Sequence, residues 1–557
     1  MKSYSNRSRS LQLVTFTALA TLSQYSVFAE DKQKTEDDTS ILVVTAPRVL
    51  PDADGVDSEI LQSLSTATSD TASLLKGVPG VNIQTGGGVS GLPVIHGMAD
   101  DRLRIKVDGM DLISACGNHM NPPLSYIDPT HVGSATVFAG ITPVSVGGDS
   151  IGSTIIVNSP DPEFAKDDKS MLTKGEAGVS YRSNGNVLSA NLAATVANES
   201  LSMTYRGATT EAENYFAGDE FKDAGPAAAG RDHLDGDEVG SSMYKSTNHS
   251  LAFAYQLENH LLQLRFGMQD IPYQGWVNQR MDMTGNDSTQ INFSYDGEFD
   301  WGTLEGRVYS EETRHSMQFY NDKLFWYGPN PPAPNSDGVP CEPSPGMMGC
   351  AAGMPMDTEG DNKGMVLKAN IQLSQNDVLR VGTEAQFYTL DDWWEPSGKG
   401  MWPNTFWNIN NGERDRLAVF GEYESKLDSQ WLMQLGVRYE QVDMNAGEVQ
   451  GYNPMMANYG PEAAAFNAAD RSNTDNNIDI TALARYEADE TLAVEFGYAR
   501  KTRSANLYER FTWSTGGMVM RMINMTGDGN GYVGNLDLEA EVAHTVSATI
   551  DFHDANQ

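Results

Sequence analysis

Residues 431–442, WLMQLGVRYEQV, set apolar side chains at 431, 433, 435, 437 and 439, with Gln434, Gly436, Arg438 and Glu440 between or beside them. A period of two over about ten residues is the pattern of a β-strand with one face toward an apolar medium and the other toward a polar one. The same texture recurs at LSANLAATVA, LAFAYQLE, LLQLRFGMQ, INFSYDGEF, RLAVFGEYES, LAVEFGYAR and HTVSATIDF. About fourteen such strands are expected between residues 174 and 552.

The linkers between them alternate in length. Short ones fall at NES near 198, ENH near 259, GEFDWG near 299, SQND near 376, LDSQ near 429 and ADE near 489. Long ones are expected over 211–246, 270–288, 321–362, 392–412, 446–475 and 504–541. Short turns on one side and long loops on the other are the mark of an outer-membrane barrel, and a soluble β-sandwich has no reason to produce that asymmetry. The fold class expected is all-β dominated, a transmembrane β-barrel over residues 170–557.

Upstream, Lys2, Arg7 and Arg9 precede the apolar run LQLVTFTALATL and the small residues Val27 and Ala29, which is the layout of a secretory signal peptide over 1–29. No stretch reaches the roughly 18 to 20 apolar residues of a membrane helix. Cleavage takes the formal net charge from −37 to about −40, a surface that excludes nucleic acid as a partner. Residues 30–59 form a polar leader interrupted by ILVVTA at 41–46, a segment able to lend its backbone to a partner by strand addition. Residues 60–165, glycine-rich with Asp-Gly turns, are expected to form one small mixed α+β domain.

The signal peptide, ILVVTA, the segments GVPGVNIQ, VIHGM, LRIKVDGM and GDSIGSTIIV, and the later RSANLYERF and GNLDLEAE together resemble a TonB-dependent outer-membrane receptor. The resemblance implies a 22-stranded barrel in the outer membrane of a Gram-negative bacterium, with an N-terminal plug in its lumen. Ile41, Leu42, Val43, Val44, Thr45 and Ala46 would be the TonB box, engaging TonB and its inner-membrane energising complex. Ending at FHDANQ after about fourteen strands, the sequence reads as an incomplete barrel.

Chemistry concentrates in ACGNHMNPPLSYIDPT, residues 115–130. Cys116 and Met120 can face one centre if the loop curls through a turn, with His119 close by. Thiolate and thioether form a soft donor set that suits Cu(I) and suits zinc, magnesium or calcium poorly. In EGRVYSEETRHSMQFYND, Leu304, Gly306 and Val308 mark a lipid face, so the odd positions, His315 and Met317 among them, face the lumen at the outer end of strand seven. CGNHM with HSM resembles the CxxxM and HxM signatures of TonB-dependent copper receptors. That implies Cys116, Met120, His315 and Met317 as ligands of a transported copper ion, Cu(I) when bound.

Three cysteines in an exported chain suggest one pair and one free thiol, and Cys341 and Cys350, closing a short loop, are the expected disulfide. Met347, Met348, Met354 and Met356 cluster around that loop, and together with His119 they are candidate accessory capture residues. Met281, Met283, Met455, Met456, Met518, Met520, Met522 and Met525 lie in other long loops. The function expected is import of copper, free or chelated, across the outer membrane, with no enzyme chemistry. A siderophore or haem receptor is the alternative. A static copper-holding protein is a third reading, against which the box argues.

Overall fold

The computed structural model describes residues 53–55, 58–166, 170–226, 233–323, 326–327, 351–352, 355–398, 401–489, 491–516, 519–520 and 531–552. The expected signal peptide, the box at 41–46, Cys341, Cys350, Met347, Met348 and Met354 lie outside the described residues.

The N-terminal part contains β1 (Ala53–Gly55), α1 (Ser58–Ser65), β2 (Val81–Gln84), β3 (Leu92–Ile95), β4 (Arg104–Val107), β5 (Met110–Asp111), β6 (Ser134–Phe138) and β7 (Thr154–Asn158). Five of these strands form a sheet in the order β1-β6-β7-β4-β5, and β2 pairs with β3 separately. Between β4 and β5, Asp108 and Gly109 both take positive φ, 49° and 71°. That is the two-residue turn an Asp-Gly pair favours. Ile105, Val107, Val137, Ile155 and Val157 pack with Leu74, Leu75 and Ile95 as the core of this plug.

Fourteen strands then form one antiparallel sheet. They begin with β8 (Leu172–Arg182), β9 (Val187–Ala197) and β10 (Leu201–Ala212), and a small hairpin, β11 (Gly225–Pro226) with β12 (His233–Leu234), sits in the next loop. The sheet continues through β13 (Tyr244–Leu257), β14 (His260–Gln274), β15 (Asp282–Phe299) and β16 (Gly302–Gln318). A second small hairpin, β17 (Trp326–Tyr327) with β18 (Ala351–Ala352), precedes β19 (Met356–Gln372), β20 (Asp377–Trp394), β21 (Phe406–Lys426) and β22 (Trp431–Asn445). After α2 (Gly460–Ala468) come β23 (Asn473–Glu487), β24 (Leu492–Arg503), α3 (Leu507–Phe511) and β25 (Glu541–Phe552).

Among the described residues no helix is long and apolar enough to cross a membrane. The alternation of the sequence is the alternation of exposure: along β22, Leu435, Val437 and Tyr439 are exposed, while Gln434, Arg438 and Glu440 are buried. Several strands run well past the roughly 9 to 11 residues a bilayer requires, β21 reaching 21. The loop after β14 is correspondingly only 275–281, shorter than the sequence pattern suggests, because the hairpin stays paired beyond the apolar zone.

Plug side chains bond to strands from one end of the sheet to the other. Arg182 on β8 donates to Ser69 Oγ at 2.5 Å, and Arg102 pairs with Glu541 on β25 at 2.5 Å. The sheet therefore wraps the plug. Midway, Glu384 on β20 accepts from Arg104 at 2.7 Å, Lys106 at 3.3 Å and Arg438 at 2.7 Å. Arg104 also pairs with Asp111 at 2.8 Å, Arg416 pairs with Asp111, and Arg438 with Glu440 at 2.8 Å. Burial opposes charge on Asp111, but Arg104 and Arg416 hold its carboxyl below the usual range.

Three variants test this arrangement. Val437→Lys, on the outward face near the middle of β22, should cost about 2–4 kcal/mol in denaturant unfolding from vesicles. Met455→Lys, in an exposed loop, should stay within about 0.5 kcal/mol. Glu384→Gln strips Arg104, Lys106 and Arg438 of a shared counter-charge and should lower the exchange protection of the β4 amides by about 3–5 kcal/mol, leaving the amides of β9, which has no side chain on Glu384, unchanged.

Candidate functional site

The segment after β5 enters the lumen and turns at Cys116, where His119 N donates to Cys116 O at 2.9 Å. Asn121 holds the turn from within. Its Oδ1 accepts from Ser114 Oγ at 2.7 Å and from Cys116 N at 3.2 Å, and its Nδ2 donates to Asn286 Oδ1 on β15 at 3.0 Å. From the other side Tyr508 of α3 donates its hydroxyl to Ala115 O at 3.0 Å. A β-carbon on Gly117 would come within 2.9 Å of the Tyr508 ring, so the close approach requires glycine there.

Cys116 Sγ lies 3.7 Å from Met317 Sδ, joining residues 201 positions apart. His315 follows the same parity as Met317, and burial alternates along the outer half of β16 with Tyr309, Glu311, Thr313, His315 and Met317 inside. Cys116, Met120, His315 and Met317 are 1, 0, 1 and 1 % exposed. Met120 packs in the same buried cluster as Cys116 and Met317. Cys116 is a free thiol, and burial pushes it up to about 12, against backbone N–H groups of Met120 and Asn118 that favour the thiolate.

Neither ring nitrogen of His315 has a hydrogen-bond partner among the described residues. An unsatisfied buried polar group costs about 1–3 kcal/mol, a cost that a ligand on the nitrogen would offset. Thiol, two thioethers and an imidazole are donors for a soft ion.

Met283, Met317 and Met356 stand in register across β15, β16 and β19. All three are buried, as is Met281. Met281, Met283 and Met356 are therefore packed in the cluster around Cys116 rather than displayed in open loops, because the strands extend further than the alternation alone indicates. Met455, by contrast, is 93 % exposed. His119 lines a cavity of about 110 Å³ together with Cys116, Asp100, Asp101, Arg416 and Asn506. Burial disfavours its charged form, but Asp100, Asp101 and Glu509 more than compensate and raise it above the ordinary range.

On the long-loop side the cluster is roofed by aromatics. Phe406 stacks on Trp394 at 4.8 Å and on Trp513 at 5.0 Å between ring centroids, with Tyr452 and Tyr459 against it. Asn121, Asn286 and Tyr508 carried no sequence signal of their role beyond the Pro-Pro after Asn121 and the helix-capping pattern of Asn506 and Glu509.

Residues 53–154 match the TonB-dependent Receptor Plug Domain, and residues 223–557, more than half of the chain, match TonB dependent receptor-like, beta-barrel. The chain belongs to the TonB-dependent receptor family. No curated protein matches the sequence. Among solved structures, the copper transporter OprC is similar with a TM-score of 0.68 at 18% identity, over 91% of this chain and 70% of that one. The FrpB iron transporter from Neisseria meningitidis (F3-3 variant) gives 0.61 at 14%, over 91% and 70%. A double mutant of the Serratia marcescens hemophore receptor HasR, in complex with its hemophore HasA and heme, gives 0.66 at 13%, over 91% and 70%. At these identities the likeness is one of fold. As a TonB-dependent receptor, the protein is a ligand-binding transporter of the Gram-negative outer membrane whose partner is TonB.

Burial and the raised thiol together predict slow chemistry at Cys116. In the folded, metal-free receptor at pH 8 its alkylation should be at least about a hundredfold slower than that of a free cysteine, since the thiolate is the nucleophile. A rate near that of the free amino acid would contradict the buried geometry.

Proposed function

We propose that this receptor captures copper at Cys116, Met120, His315 and Met317 and imports it into the periplasm. The observation that carries the reading is the 3.7 Å contact between Cys116 Sγ of the plug and Met317 Sδ of β16, two residues from an imidazole with both nitrogens unpartnered. An ion held there binds plug and barrel at once, so binding is coupled to the plug's position. Copper binds as Cu(I), for which neutral thioethers and one thiolate are suited donors.

The surroundings support an ion over a chelate. The four donors are almost fully buried, and the aromatics of the long-loop side pack in the same cluster, an enclosure that suits a bare ion. Met283 and Met356 flank Met317 and form a soft lining for the ion's approach. Release follows when TonB, engaging residues 41–46, displaces the turn that carries Cys116 and Met120.

Competition dialysis of the purified receptor with equal copper and zinc should leave copper bound almost exclusively, because zinc gains little from thioethers. Cys116→Ser should abolish stoichiometric copper on elemental analysis. Met120→Leu with Met317→Leu, which nearly conserves volume, should weaken retention and shrink the preference over zinc. Zinc competing equally with the unmodified protein would rule out the thioethers as ligands.

A further inference from the structure

The turn 116–120 carries a further donor side chain, His119, outside the four residues of the proposed capture site. His119 is 6 % exposed, takes a left-handed backbone conformation with φ 50°, and lines the cavity beneath Cys116. Neither of its ring nitrogens has a hydrogen-bond partner among the described residues. Left-handed backbone is uncommon for a non-glycine residue and marks a strained position in the turn. Asp100, which lines the same cavity, is left-handed as well, with φ 55°.

The charge around His119 favours a cation. Every arginine lining the cavity is already paired: Arg104 with Asp111 at 2.8 Å, Arg414 with Asp149 at 2.6 Å, Arg416 with Asp111, and Arg503 with Glu509 at 2.9 Å. Asp100 and Asp101 make no ion pair among the described residues, and Asp101 accepts only from Asn506 Nδ2 at 2.5 Å. The negative end of the cavity is the end at His119. Asp100 and Asp101 act on the imidazole through charge without bonding to it, so this end of the cavity attracts a positive ion.

We propose that His119 is the transfer ligand on the inward side, taking copper from Cys116 into the cavity as the turn moves. The proposal rests on Cys116 being a copper ligand. His119 offers a single donor where the capture site offers four, so an ion would be held there more weakly. A transit site requires that weakness, since an ion must leave as readily as it enters. Cys116 and His119 both line the cavity, which continues to Arg416 at the middle of β21 and so leads inward.

The test uses the full receptor in cells and after purification, with copper as the ion. His119→Asn tolerates the left-handed backbone, and His119→Gly has no β-carbon to strain there. Both should keep the parent's copper occupancy while copper accumulation in cells slows about tenfold. His119→Met, which returns a copper donor, should transport faster than His119→Asn. Accumulation at the parent rate in the Asn and Gly variants would overturn the proposal, as would loss of occupancy or a Met variant no faster than the Asn one. A parent that binds no copper would instead fail the capture site itself, and the transfer role with it.

Discussion

Glu384 places one negative charge among Arg104 and Lys106 of the plug and Arg438 of the barrel wall, with Lys106 partly exposed and the other three buried. Taking these charges from water is costly, and only their mutual attraction at short range offsets the loss. The plug therefore sits where that geometry is met. Arg104 and Lys106 lie on β4, Asp111 ends β5, and the chain leaving β5 reaches Cys116 five residues later. The contact between Cys116 and Met317 depends on the register that Glu384 and Asp111 impose.

The same dependence gives the site its responsiveness. Cys116 and Met120 ride on the plug, and His315 and Met317 on a strand whose backbone bonds are locked into the sheet. Moving the plug changes only one half of the donor set. A buried ion network is poised for such motion, because breaking it is costly in isolation yet leaves each half able to find water or another partner. The aromatic roof, built from loop residues around Phe406, closes the opposite side, so under the proposed function an ion leaving the sulfurs would have the cavity at His119 before it.

Much of this was legible in the sequence because membrane strands obey a strict period. The alternation at 431–442 foretold which side chains of β22 are buried, and the parity of Leu304, Gly306 and Val308 carried through to His315 and Met317 without a break in the pairing of β16 with β19. Strand ends were less legible. Above the apolar zone both faces are polar, so pairing continues without alternation to mark it, and Met281, Met283 and Met356 pack in the cluster instead of standing in open loops. Asn121, Asn286 and Tyr508 were not legible, since their roles arise from contacts between segments far apart in the chain. The left-handed backbone of His119 belongs to the same class, since no neighbouring residue announces it.

The central claim is that a soft ion sits between plug and barrel on sulfur. X-ray absorption at the copper edge of the copper-loaded receptor tests it directly, because the scattering shell distinguishes sulfur from nitrogen and oxygen. The account predicts a first shell dominated by sulfur from Cys116, Met120 and Met317, with one nitrogen from His315. A shell of nitrogen and oxygen alone would contradict it.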